Sequence, residues 1–120
     1  MFERIDCVCV PTDDLDASLR FYLDVGLKEA WRLDRTTEDG KPWTLVGLDF
    51  PGGNSQLTLS THPDRKLVEV EIRVADVHLT YAELSLRPGV NWIVQPFAIK
   101  DGHVAVMTAP DGNIFVLIGG

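Results

Sequence analysis

Along this chain apolar and polar residues alternate over short stretches, and in two places the apolar spacing switches from two to between three and four. Residues 3–10 alternate and carry the β-branched Ile5, Val8 and Val10, which predicts a strand. Pro11 has no amide N–H for a central ladder and is expected to end it. Thr12, Asp13 and Asp14 then offer capping oxygens, and Leu15, Leu19 and Tyr22 recur at helical spacing. Gly26 is a natural stop, because glycine takes the left-handed conformation cheaply. Residues 27–35, 43–50 and 55–60 read as strands, separated by turn chemistry at 37–42 and 51–54.

The pattern then restarts. Residues 67–74 alternate as a strand. Residues 76–86 form a second helix on Val77, Tyr81 and Leu84, ended by Pro88-Gly89, and 90–99, 103–108 and 113–118 are three further strands. The order βαβββ occurs twice, which predicts an α+β fold of two modules, residues 1–62 and 63–120, joined within 61–66. About 60 residues bury too little apolar surface to stand alone, so the modules must pack together or with another subunit.

Strand parity assigns the faces. Val8 and Val10 oppose Cys7 and Cys9; Leu57 and Leu59 oppose Gln56, Thr58 and Ser60; Val68, Val70, Ile72 and Val74 oppose Glu69, Glu71 and Arg73. In the last strand Phe115 and Leu117 oppose Ile114, Val116 and Ile118. One face is uniformly apolar and is expected under the helices. The mixed face reads either as a solvated sheet surface or as the lining of a ligand cleft with apolar walls and a few polar anchors.

Composition narrows the partners. Eleven basic against 18 acidic residues leave a net charge of −7, a field that repels nucleic acid and anionic membrane alike. No apolar run reaches the roughly 18 residues of a membrane span, and the N-terminus lacks the pattern of a signal peptide, so a cytoplasmic address is expected. Cys7 and Cys9 are the two cysteines. Two apart on one strand, they are poorly placed to bridge and read as reduced thiols.

The residues Arg4-Ile5-Asp6, Asp14-Leu15-Asp16-Ala17-Ser18-Leu19-Arg20-Phe21-Tyr22, Val25-Gly26-Leu27, Val74-Ala75-Asp76-Val77 and Ala109-Pro110-Asp111-Gly112-Asn113, set on a doubled βαβββ order, resemble the vicinal oxygen chelate superfamily. That superfamily includes glyoxalase I, extradiol dioxygenases, fosfomycin-resistance enzymes and bleomycin-resistance proteins. The resemblance spans essentially the whole chain. It implies two βαβββ modules forming a cupped, mostly antiparallel mixed sheet with helices on the outer face, often completed by homodimerisation.

Metal-dependent members hold a divalent ion with His and Glu side chains from the first, fourth, fifth and eighth strands. The corresponding positions here are Cys7, Gln56, Glu69 and Val116. Only Glu69 is a good hard-metal ligand, and Val116 offers no donor, whereas a catalytic site needs about three protein ligands and an open position. The resemblance therefore implies a family member without the usual metal, and no cofactor is expected; the alternative is an atypical divalent site with Cys7, Gln56 and Glu69 as its three ligands. His62 lies in the join and His78 early in the second helix, both expected at the surface. His103 shares parity with Ala105 and Met107 and reads either as a strand-end surface residue or as a group reaching the cleft.

Trp31, Trp43 and Trp92 fall on the second, third and sixth strands; Trp31 shares parity with Glu29 and Leu33, Trp43 with Leu45 and Gly47. Their large flat faces and indole N–H suit ligand stacking, or equally a core or subunit interface. The expected ligand-binding set is Cys7, Gln56, Glu69, Glu71, Trp31, Trp43, Trp92 and His103, with carboxylates favouring a basic ligand. The function expected is metal-independent binding of a small, flat or cationic organic molecule, such as an antibiotic, in the manner of bleomycin-resistance proteins. The alternatives are a lyase, isomerase or dioxygenase-like enzyme with a displaced, atypical metal site or with metal-free acid/base chemistry by Glu69, and an accessory subunit with no small-molecule site.

Overall fold

The computed structural model describes Met1–Gly120 and has two compact units, Cys7–Val68 and a second composed of Met1–Asp6 with Glu69–Gly120. The join expected at 61–66 therefore falls inside the first of them. Each unit repeats the βαβββ order, in an α+β fold.

The Cys7–Val68 unit contains most of β1 (Arg4–Pro11), α1 (Leu15–Asp24), β2 (Lys28–Thr36), β3 (Pro42–Asp49) and β4 (Gln56–Ser60). β1 runs parallel to β4, β4 antiparallel to β3, and β3 antiparallel to β2. Pro11 is the last residue of β1 and aligns with Ser60, so the strand runs one residue further than expected and ends on the proline. Helix α1 starts because the Asp14 carboxylate accepts the Ala17 N–H (3.1 Å). It ends in a Schellman arrangement in which Leu27 N–H donates to Tyr22 O, Gly26 N–H donates to Leu23 O, and Gly26 takes φ +112°. Leu19 packs with Val46, Leu48, Leu59 and Leu27, and Leu15 and Tyr22 close around them, so α1 covers the face that carries Val10 and Leu57.

The second unit contains β5 (Glu69–Val74), α2 (Val77–Leu84), β6 (Asn91–Ile99), β7 (Gly102–Thr108) and β8 (Ile114–Gly119). β5 runs parallel to β8, β8 antiparallel to β7, and β7 antiparallel to β6. Asp76 caps α2 by accepting the Leu79 N–H (2.9 Å). Val77 and Leu84 pack on Ile72, Val74, Ala105, Met107 and Leu117. Burial of Leu48 and Leu117 at 0 % exposure marks the centre of each core. In both units the apolar face expected from parity is the one beneath the helix. No helix is long and apolar enough to cross a membrane.

Bulges revise the parity in two strands. β2 shifts register between Glu29 and Trp31, so Glu29 aligns with Leu48 on the helix-covered face and Trp31 with Gly47 on the other. Trp31 therefore does not share a face with Glu29, contrary to simple alternation. β6 shifts twice, so Trp92 aligns with Met107 beneath the helix while Val94 and Phe97 align with Val106 and Val104 on the opposite face.

Candidate ligand site

The helix-free face of the Cys7–Val68 unit is assembled by register. Cys7 aligns with Gln56, Gln56 with Asp49, and Asp49 with Lys28. In the next row Cys9, Thr58, Gly47 and Trp31 lie side by side. Residues aligned across a ladder project to the same side, so thiols, amide, carboxylate and indole are neighbours.

Gly47 is the reason Trp31 lies where it does. A Cβ on residue 47 would stand 2.1 Å from indole atoms Cε2 and Nε1, so the ring rests directly over a backbone that has no side chain. The indole Nε1–H then donates to Gln56 Oε1 (3.3 Å), and Gln56 Nε2 donates to Asp49 Oδ1 (2.8 Å). Both ends of the amide are used, which fixes its orientation. The Asp49 carboxylate remains exposed, while Trp31 and Gln56 are half-buried. Beside this chain Thr58 Oγ1 donates to the buried Cys7 sulfur (3.4 Å), and Cys7 and Cys9 are both thiols.

Trp43 stands further along the same face. Its ring meets His62 at 4.6 Å between centroids with planes at 60°. The Asp64 backbone N–H donates to His62 Nδ1 (3.0 Å), which places a neutral ring's proton on Nε2. Burial, and secondarily the Arg65 charge, lower the His62 pKa and keep it in that neutral form. His62 was expected at the surface and is instead half-buried against an aromatic ring.

In the second unit Glu71 aligns with Val116, and Glu69 and Arg73 share its side of β5. Val106 and Val104 continue that face as an apolar wall beside Val116 and Ile118. Arg73 Nη2 reaches both oxygens of Asp6 (3.3 and 3.4 Å), while Arg73 Nε is buried without a hydrogen-bond partner.

The other two residues of the expected set lie elsewhere. Trp92 packs on Tyr81 of α2 (4.6 Å) and donates its Nε1–H to Ser85 Oγ (3.0 Å). His103 meets His78 of α2. Both are on the helix side of their sheet, because they align in register with Met107 and with Ala98 and Gly119. Asp49 and His62 are the residues that sequence reasoning missed. The turn at 51–54 held the signal: folding the chain about it sets Asp49 opposite Gln56 and carries Trp43 toward His62.

Of the four positions that resemblance assigns to a divalent ion, Glu69 is a carboxylate and the other three do not carry the usual donors. Val116 has none, the Gln56 amide is engaged at both ends, and Cys7 offers a soft sulfur already hydrogen-bonded to Thr58. No three His, Cys, Asp or Glu side chains converge in a metal-holding group.

Two βαβββ units, each with a helix on one face of its strands, define an α+β protein of the glyoxalase type. Residues 4–117 match the Glyoxalase/Bleomycin resistance protein/Dioxygenase superfamily, and the chain belongs to that family. Among solved structures it is similar to a hypothetical protein from Bacillus halodurans (TM-score 0.75, 16% identity, covering 98% of this chain and 94% of that one). It is also similar to methylmalonyl-CoA epimerase from Mycobacterium tuberculosis (TM-score 0.74, 18% identity, 98% and 88% covered). A third is Streptomyces coelicolor methylmalonyl-CoA epimerase in complex with 2-nitronate-propionyl-CoA (TM-score 0.71, 22% identity, 100% and 96% covered). At these identities the likeness concerns the fold. No curated protein sequence matches the chain.

Proposed function

We propose that this protein binds a small, flat or cationic organic molecule without a metal ion, as the bleomycin-resistance branch of its family does. The observation that carries the reading is the chain Trp31–Gln56–Asp49 on a helix-free sheet face. An indole held over Gly47 and fixed at its N–H is a rigid stacking platform, and an exposed carboxylate lies beyond the amide that holds it. A platform held in place before the ligand arrives loses little conformational freedom on binding. The net charge of −7 draws a cation and disfavours an anion. On this reading the protein acts as a cytoplasmic homodimer and sequesters its ligand, an antibiotic among the candidates, rather than transforming it.

A thermal-shift screen against planar cationic antibiotics and aromatic metabolites, run in EDTA, tests the reading. A ligand at a hundredfold excess over Kd stabilises the folded state by about 2.7 kcal/mol. The shift should persist in EDTA and be lost in Trp31→Ala and Asp49→Asn. Shifts that require an added divalent ion would overturn it.

A second reading, acid–base chemistry, is favoured by the half-buried Glu69 and Glu71 beside the valine wall of the second unit. A carboxylate at an apolar surface suits proton transfer at a carbon acid. Its test is exchange of the α-hydrogen of methylmalonyl-CoA in D2O followed by NMR, with Glu69→Gln and Glu71→Gln as controls. Exchange no faster than without the protein would remove this reading.

A further inference from the structure

We propose that His78 and His103 form a two-histidine site for a borderline divalent transition ion such as Ni2+, on the helix side of the second unit and apart from the ligand face. Their rings stand 4.6 Å apart between centroids, edge to face at 72°. His103 Nδ1 is buried and has no hydrogen-bond partner. A buried imidazole nitrogen without a partner forfeits a hydrogen bond it would make in water, a cost that a bound ion removes.

Rigid elements hold the pair. His78 is the second residue of α2, whose first turn is tied down by Val77 N–H donating to the Gly120 oxygen (2.9 Å) and by Gly120 N–H donating to Ala75 O (3.2 Å). His103 is the second residue of β7 and aligns with Gly119, the neighbour of that same Gly120. The approach is close, since a Cβ on Gly119 would stand 1.9 Å from Val74 O. Both imidazoles are thus carried on backbone that the fold fixes, and neither depends on a loop.

Ion–nitrogen bonds of about 2.0–2.1 Å require the two donor nitrogens to lie within about 4 Å of each other. The ring centroids stand 4.6 Å apart, a separation compatible with that requirement. Imidazole is the preferred protein ligand for nickel, copper and zinc ions of this kind. His78 is exposed, so water fills the remaining coordination positions.

The test is calorimetric titration of the chelator-stripped protein with NiCl2 near pH 7.5. A single equivalent should bind, and His78→Gln and His103→Gln should each weaken it by about ten- to a hundredfold. His62→Gln should bind as the parent does. Absence of binding to the parent, unchanged affinity in the His78 variant, or an equal loss in the His62 variant would overturn the proposal. Should His103→Gln disturb folding, as circular dichroism would report, the exposed His78 variant decides the question.

Discussion

Trp31 lies across Gly47 so closely that a methyl group on residue 47 would occupy the space of the indole, 2.1 Å from two of its ring atoms. One residue is informative for its side chain and the other for having none. Gly47→Ala is expected to lift the indole off the sheet and break its bond to Gln56. Inserting a methyl into a packed site costs about 1–3 kcal/mol. Urea denaturation should show that loss, and the tryptophan emission should move to the red as the ring enters water.

The Trp43–His62 contact predicts a pH dependence. His62 has a folded-state pKa lowered by burial, below its unfolded value near 6.5. Its contribution to stability is therefore complete above about pH 6.5 and is lost as the pH falls through the lower folded value. An NMR titration should place the His62 midpoint below that of an unstructured histidine. His62→Gln should remove this part of the acid-side loss of stability, and a midpoint above 6.5 would contradict the assignment.

Asp6 is the carboxylate partner of Arg73, whose side chain is 33% exposed and whose Nε already lacks a hydrogen bond. Asp6→Ala should destabilise by about 1–3 kcal/mol, the cost of stranding a polar group that water reaches poorly. Replacing both partners with apolar residues of similar size, Asp6→Leu with Arg73→Met, should cost much less. Comparing the single and double variants by denaturant unfolding separates the two outcomes.

The helix caps give two parallel expectations. Asp14→Ala and Asp76→Ala each remove a side-chain acceptor from a first-turn N–H and should cost about 1 kcal/mol. Asparagine at either position should restore most of it. Thermal melts of the four variants check this, and an Asn variant no better than Ala would show that the Asp charge rather than the acceptor geometry is responsible.

Much of this architecture was legible beforehand for local reasons. Leu15, Leu19 and Tyr22 repeat at helical spacing after a capping aspartate, and Gly26 takes the positive φ that closes α1. The alternation of Val70, Ile72 and Val74 against Glu71 and Arg73 likewise marks which side of β5 faces the core. The pairing of Gln56 with Asp49 could have been drawn from the turn between them. The contact of Trp31 with Gln56 could not, because it crosses 25 residues and depends on a bulge.

By itself the sequence determined the doubled βαβββ order, the two helices with their caps, the buried face of each sheet and the replacement of the usual metal-ligand types at three of four positions, Cys7, Gln56 and Val116. These follow from periodicity, capping and side-chain chemistry, which act over a few residues. Tertiary structure alone decided where each aromatic ring and imidazole points. A bulge at Ala30 turns Trp31 to the helix-free face, bulges in β6 leave Trp92 beneath the helix, and ladder register brings His103 to His78. A single inserted residue reverses every later side chain on a strand, and only pairing with the neighbouring strand reveals where the insertion sits.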